Sequence, residues 1–195
     1  MQKRFKPSVE KSIKAAATAG SLTGKPSFTL EFRLRRLAWL LCWNLLAAWT
    51  PRRFFAWRRG ILSLFGAQMT DTSRVYGSAR IWWPGNLEMG ENTAIGPRVR
   101  IYSMGKIRIG ANTIVSQDAH LCAGTHDYND PAFQLITRPV DVGPRVWIAT
   151  EAFICPGAVI GEGCVVGARA VVSGKLDPWG VYAGNPAIRI KERAH

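Results

Sequence analysis

The feature that most restricts this chain is a six-residue period that begins at Val75 and recurs almost to the C-terminal end. Val75, Ile81 and Leu87 open successive hexads. After a shift of two residues the series continues at Met89, Ile95, Ile101 and Ile107, and after a second shift at Ile109, Val115 and Leu121. A longer interruption follows, and the period returns at Val142, Ile148, Ile154, Ile160, Val166 and Val172. All 16 openers are Val, Ile, Leu or Met. The fifth place is Ala, Gly, Thr, Val or Cys in 13 of the 14 complete hexads, Leu176 being the exception, and the second place is Gly in six (Gly90, Gly96, Gly110, Gly143, Gly161 and Gly167). A period of six matches neither the α-helix nor the two-residue alternation of a sandwich strand. It matches a short strand followed by a corner. The opener fills the core, and the fifth residue also points inward, where space beside the corner admits only a small side chain. Three hexads then close a triangular coil of about 18 residues, and coils stack at the strand spacing of about 4.8 Å. The expected class is all-β, a left-handed parallel β-helix over residues 69–192, with the handedness opposite to the usual right-handed crossover.

The chain before the solenoid has another character. Residues 1–60 hold 13 of the 26 Lys and Arg against only Glu10 and Glu31, so most of the net charge of +13 belongs to this segment and not to the repeat. Residues 1–28 are rich in Lys, Ser, Thr, Ala and Gly and read as a flexible basic tail. Residues 29–68 read as a helical apolar and basic segment. Leu37–Trp49 is a 13-residue apolar run, too short for the roughly 20 residues of a spanning helix. Thr50-Pro51 stops it, and an apolar stretch containing Arg58 and Arg59 follows. Arg33, Arg35 and Arg36 precede the run and Arg52 and Arg53 follow it, with Trp39 and Trp43 one helical turn apart. Two placements fit: a cap over the open end of the solenoid, and contact of residues 33–59 with an anionic membrane surface. They are compatible. The solenoid itself carries little net charge, so no nucleic-acid groove is expected.

Composition and spacing exclude several chemistries. Cys42, Cys122, Cys155 and Cys164 form no C-x-x-C pair, which argues against a structural zinc site and a disulfide scaffold and for thiols in a reducing compartment. Trp82, Trp83 and Trp147 are expected on flat outer faces, available to a subunit interface or to a stacked sugar. Residues 127–141 break the period, and such a break loops out of one face of a solenoid, often the binding face. His126 lies at its base.

The segments Ser116–Tyr128 (SQDAHLCAGTHDY), Pro131–Pro139 (PAFQLITRP), Arg145–Ala149 (RVWIA), Pro156–Gly161 (PGAVIG) and Ala183–Ala187 (AGNPA), together with Pro51–Gly66, resemble the hexapeptide-repeat acyltransferases, and within them the colanic-acid and exopolysaccharide acetyltransferases. The resemblance covers roughly residues 30–192. It implies an acetyl-CoA-dependent O-acetyltransferase acting on a sugar hydroxyl in exopolysaccharide, colanic-acid-like, biosynthesis. It implies acetyl-CoA as co-substrate, no required metal, and a homotrimer. The acceptor would be a sugar or a lipid-linked glycan, and the location cytoplasmic, with peripheral contact on the cytoplasmic face of the inner membrane. Acyl transfer from a thioester to a hydroxyl needs a base, and neutral imidazole suits that task; the resemblance makes His126 the general base. Asp127 is a candidate to orient it. His120 falls one face earlier in the coil and is expected on the outer surface, and His195 ends the chain. Matched motif to motif, Thr150, Ala168 and Ser173 line the path of the pantetheine arm, with Lys175 beside them, while Arg189, Lys191 and Arg193 offer positive charge to the phosphate end. Two positions depart from the family pattern: Ala149 stands where Gly is usual, and Gly174 stands where a Lys is usual, with Lys175 one place on. Alternatives are a non-catalytic scaffold or binding protein and a transferase for serine or an amino sugar. A γ-type carbonic anhydrase would need three zinc-binding histidines, and the repeat offers only His120 and His126.

Overall fold

All 16 hexad openers point into one continuous core, and none is more than 4% exposed. The computed structural model describes residues 28–131 and 133–194. The expected tail, apart from Phe28, and His195 lie outside the described residues. The openers sit on short strands that form three parallel walls. Wall one stacks Gln68–Met69, Leu87–Met89, Ile107–Ile109, Val140–Val142, Val159–Ile160 and Lys175–Leu176. Wall two stacks Arg74–Val75, Ala94–Ile95, Ile114–Val115, Trp147–Ile148, Val165–Val166 and Gly180–Ala183. Wall three stacks Arg80–Ile81, Arg100–Tyr102, His120–Cys122, Phe153–Ile154 and Val171–Val172. The chain closes with Ile188–Glu192 folding back antiparallel on Gly180–Ala183. The fold is thus the expected left-handed β-helix, entered through two helices.

The coils are not of one length. Successive partners up wall one are Glu88, Arg108, Asp141, Val159 and Lys175. The step from Glu88 to Arg108 exceeds three hexads, the step from Arg108 to Asp141 is the longest, and only the step from Asp141 to Val159 equals three hexads. The two-residue shifts in the sequence are insertions at the corner between walls three and one. There Pro84–Asn86 makes a 3₁₀ turn. Asn86 Nδ2 donates to the carbonyls of Ser103 and Met104 in the next coil at 3.0 and 2.9 Å, and the Ser103 hydroxyl donates to the Trp83 carbonyl at 2.8 Å. This widened corner explains why Gly85, Gly105 and Thr125, alone among the fifth-place residues, are only partly buried. The third passage through the same corner carries the long interruption, and the solenoid resumes at Val140 rather than Val142.

The second-place glycines mark close approach between stacked corners. A Cβ on Gly110 would lie 2.5 Å from the Pro144 nitrogen, and one on Gly161 would lie 2.6 Å from the Pro178 nitrogen. The fourth place shows a pattern the sequence reading did not register. Asn92, Arg98, Asn112, Asp118, Arg145, Glu151 and Arg169 all have φ between 54° and 60°, a left-handed conformation that costs a non-glycine residue roughly 1–2 kcal/mol. Their side chains stack coil on coil and partner one another: Arg98 forks onto Asp118 at 2.8 and 2.6 Å, and Asn92 donates to Asn112 at 3.2 Å.

The N-terminal helices are α1 (Leu30–Leu46), capped by the Thr29 hydroxyl accepting from the Phe32 amide, and α2 (Phe55–Leu64). Both pack on the first coil. α1 buries Trp39 and Trp43, and the Trp39 indole donates to the Ile81 carbonyl at 2.9 Å. Of the two placements, the cap accounts for Trp39 and Trp43, which face protein and not a membrane. Trp82 and Trp83 are not open flat-face residues either: Phe28, Phe32 and Arg36 stack on Trp82, and Phe32 and Phe65 meet Trp83. Trp147 does remain half exposed on wall two, its indole donating to the Ser116 hydroxyl at 2.9 Å. Among the described residues, no helix is long and apolar enough to cross a membrane.

Candidate active site

The interruption folds as a β-hairpin. Gly124–His126 pairs antiparallel with Leu135–Thr137, bringing His126 opposite Leu135. Residues 127–141 are therefore not one loop. The tip is 127–134, residues 135–137 are the return strand, and Val140–Val142 belongs to wall one. His126 likewise does not end a wall hexad but stands on the hairpin, off the solenoid. The hairpin is tied to its root by the Arg138 amide donating to the Ala123 carbonyl at 3.1 Å, and its tip is closed by Asp127 N–H to Gln134 O at 2.8 Å and Phe133 N–H to Asp130 O at 2.7 Å.

Phe133 holds the imidazole. Its backbone takes a left-handed φ of 47°, which turns its carbonyl to within 2.8 Å of His126 Nδ1. Its ring lies on the imidazole with centroids 4.5 Å apart and planes 12° from parallel. Asp127, the expected orienting residue, is used otherwise: its Oδ1 accepts from the Asn129 amide at 3.0 Å and shapes the tip turn. Thr125, His126, Asp127, Tyr128, Asn129, Ile136 and Arg138 of the hairpin and Pro156 of the next coil enclose a hollow of about 410 Å³. Phe133, Tyr128, Arg138 and Pro156 were not picked out from the sequence. The contact that singles out Phe133 is a backbone carbonyl, for which residue type gives no signal.

His120 sits apart from this hollow, on wall three, with Tyr102 and Phe153 edge-on to its ring. Its burial and the charge of Arg100 hold its pKa below the ordinary histidine value. The described cysteines are all free thiols; burial raises the pKa values of Cys122, Cys155 and Cys164, which makes them poor nucleophiles. Among the described residues no group of three or more His, Cys, Asp or Glu is placed to hold a metal ion. A second hollow of about 450 Å³ lies over wall one beside Glu88 and Arg108. Its charged groups are already partnered in the ladder of Lys106, Glu88, Arg108 and Asp141.

The residues expected along the pantetheine path divide between two corners. Thr150 and Ala168 lie at the corner of walls two and three, in adjacent coils. The Thr150 hydroxyl donates to Gln117 O at 3.0 Å, and the Thr150 carbonyl accepts from the Arg169 amide at 3.0 Å. Ser173 and Lys175 lie at the corner of walls three and one, on the same edge as the hairpin. Lys191 is exposed on the final strand. Arg193 is engaged within the fold, its guanidinium donating to the carbonyls of Arg145 and Gly163 at 2.7 and 3.0 Å.

Residues 139–174 match the bacterial transferase hexapeptide (six repeats) family. The chain is 39% identical over 146 residues to WcaF of Escherichia coli (strain K12), named as a colanic acid biosynthesis acetyltransferase; the match spans 75% of this chain and 80% of that protein. Its fold superimposes on that of a hexapeptide-repeat-containing acetyltransferase of Vibrio cholerae complexed with acetyl coenzyme A, with a TM-score of 0.78 at 20% identity, covering 87% of this chain and 93% of that one. It superimposes also on a galactoside acetyltransferase in complex with coenzyme A, with a TM-score of 0.73 at 20% identity, covering 87% and 86%. At such identities these structures speak for the fold alone, whereas the match to WcaF covers three quarters of the chain at nearly twice the identity. With that match the chain belongs to the hexapeptide-repeat acetyltransferase family.

Proposed function

We propose that this protein transfers the acetyl group of acetyl-CoA to a sugar hydroxyl in the assembly of a colanic-acid-like exopolysaccharide, with His126 as the general base. One observation carries the reading, the contact between His126 Nδ1 and the Phe133 carbonyl. A carbonyl only accepts, so in the neutral imidazole Nδ1 carries the ring proton and Nε2 keeps its lone pair. That is the tautomer a general base needs, on a residue lining the hairpin hollow. The acceptor hydroxyl gives its proton to Nε2 as its oxygen attacks the thioester carbonyl carbon. The tetrahedral intermediate collapses with cleavage of the C–S bond, and the imidazolium returns the proton to the departing thiolate sulfur. No side-chain nucleophile takes part. Phe133 acts as a positioning residue, and Tyr128, Asn129 and Arg138 give the hollow a polar lining suited to a sugar or lipid-linked glycan.

The division of the expected acetyl-CoA residues supports a homotrimer. Thr150 and Ala168 stand at one edge of wall three, Ser173 and Lys175 at the other, with the hairpin. One acetyl-CoA molecule following both pairs runs between the edge of one copy and the opposite edge of its neighbour, and a flat-sided prism packs readily about a threefold axis. The exposed Lys191 on the final strand offers positive charge for a phosphate.

The test is thiol release from acetyl-CoA across a panel of sugars and lipid-linked glycans. On the acceptor that turns over, His126→Ala is expected to lower kcat by about 100-fold or more, with acetyl-CoA affinity changed little, because the nucleotide end is held elsewhere. Unchanged turnover in that variant would refute the assignment of the base.

A further inference from the structure

The helices carry a second surface, on the side away from the coils. α1 is apolar on two sides. Its inner side sets Trp39, Trp43 and Ala47 against the first coil. Leu30, Leu34, Leu37, Leu41 and Leu45 follow one another at intervals of four, three, four and four, so at helical geometry they form a single stripe, turned away from the tryptophans. Each of the five is between 52% and 68% exposed. Trp49 and Trp57 extend the stripe at 72% and 50% exposure. Their indole N–H groups already donate to the carbonyls of Leu45 and Leu46 at 2.7 Å each. Both rings can therefore enter an apolar medium without stranding a donor. A helix apolar on both sides calls for apolar material on both, and the first coil supplies only one.

Charge selects the other material. Arg33, Arg52 and Arg53 are exposed around the stripe, and the only acid from residue 28 to residue 70, Glu31, is paired at 2.6 Å with Arg35, which falls in line with Trp39 and Trp43. A second copy laid on this face would bring cation against cation. An anionic lipid layer would bring phosphate to arginine and acyl carbon to leucine. At 17 residues α1 is about 25 Å long, short of the roughly 30 Å hydrocarbon core, and its inner side is already occupied. It would therefore lie in the membrane plane. We propose that the outer face of α1 and the α1–α2 link dock this protein on an anionic bilayer, with the leucine stripe in the acyl boundary and Arg33, Arg52 and Arg53 at the headgroup phosphates. Arg58 takes no part, because it is wholly buried. Trp82, on which α1 rests, lies two coils from the strand that feeds the hairpin, about 10 Å at the strand spacing. Docking thus holds the His126 hollow close to the lipid surface, where a lipid-carried acceptor would sit. Only this last consequence rests on the acetyl transfer proposed above.

The experiment is co-sedimentation of the full chain with phosphatidylcholine vesicles, with and without phosphatidylglycerol. The unmodified chain is expected to pellet with the anionic vesicles and to be released as salt rises. A variant carrying Leu34→Gln, Leu37→Gln and Leu41→Gln is expected to bind at least about tenfold more weakly, with unchanged thermal unfolding and unchanged turnover on a water-soluble acceptor. A variant carrying Arg33→Gln, Arg52→Gln and Arg53→Gln is expected to lose the preference for anionic vesicles. If the leucine variant does not fold, the arginine variant carries the test. Equal binding to both vesicle types, or a folded leucine variant that binds like the parent, would overturn the proposal. So would a leucine variant whose mass by light scattering falls to a smaller assembly, which would make the stripe a protein interface. Loss of acetyl transfer in the parent would leave the vesicle result standing, so the two readings fail separately.

Discussion

Arg58 ties three pieces of chain together. Its Nε donates to Val75 O at 2.7 Å, Nη1 to Thr50 Oγ1 at 2.8 Å and to Pro51 O at 3.0 Å, and Nη2 to Arg52 O at 2.9 Å. The side chain is fully buried, and burial lowers its pKa. Its partners are carbonyls and a hydroxyl, so the guanidinium is held by hydrogen bonds rather than by an ion pair. Arg58→Met strands those acceptors and is expected to cost about 3 kcal/mol or more, read as a shift in the urea midpoint. Arg58→Lys should recover little, because a point charge cannot reach the same fan of acceptors. His120 makes a second prediction at this scale. Its folded pKa lies below the unfolded value, so the unfolded chain binds more protons as pH falls through the unfolded histidine value of about 6.5. Stability is therefore present above that value and declines below it, down to the lower folded pKa. His120→Phe should flatten the fall in Tm between neutral and mildly acid buffer. In the sequence Arg58 is one of two arginines in an apolar stretch, with nothing to mark its burial, because residue type does not say which side of a helix will meet a coil.

At the scale of elements, the hairpin is an insertion into a corner already widened twice. Deleting residues 125–137 joins Gly124 to Arg138 and shortens the longest coil to the length of the one before it, leaving Val140 opposite Ile107 as it is now. The shortened protein is expected to unfold cooperatively with a Tm within a few degrees of the parent, since the deleted residues contribute little to the solenoid core, and to show no acetyl transfer. Circular dichroism melting and thiol release measure the two. The existence of the break was legible in the sequence, and so was the position of His126 at its start. Its form was not. The two hairpin strands are too short for a two-residue alternation to stand out, and they pair only because the corner brings their ends together. The fourth-place ladder was missed for a similar reason: Asn, Asp, Arg and Glu share no common place in a hydropathy pattern, only a backbone conformation.

At the scale of the whole molecule, the proposed trimer, with its site divided between opposite edges of wall three, predicts complementation. His126→Ala damages one edge, and Ala168→Trp, which fills the other, damages the second. Each variant alone should be nearly inactive. Unfolded together and refolded, they should form mixed trimers in which roughly a quarter of the interfaces pair an intact His126 edge with an intact Ala168 edge, and activity should return to about that fraction. Independent sites within single subunits would give no recovery.

The sequence by itself determined the solenoid, because a six-residue period leaves no other way to bury an opener and a small fifth residue on every turn, and each hexad repeats the same local demand. It also marked the corner from which the chain departs and the histidine placed there. Tertiary structure alone decided the rest. Trp39 closes on Trp43, and Phe32 on Trp83, because the first coil has no coil beneath it. The leucines of α1 stay outside because the opposite side of the helix is already filled. The imidazole of His126 is oriented by the Phe133 carbonyl and not by its neighbour Asp127. Such outcomes depend on which surfaces meet across long stretches of chain, and local periodicity carries no record of that.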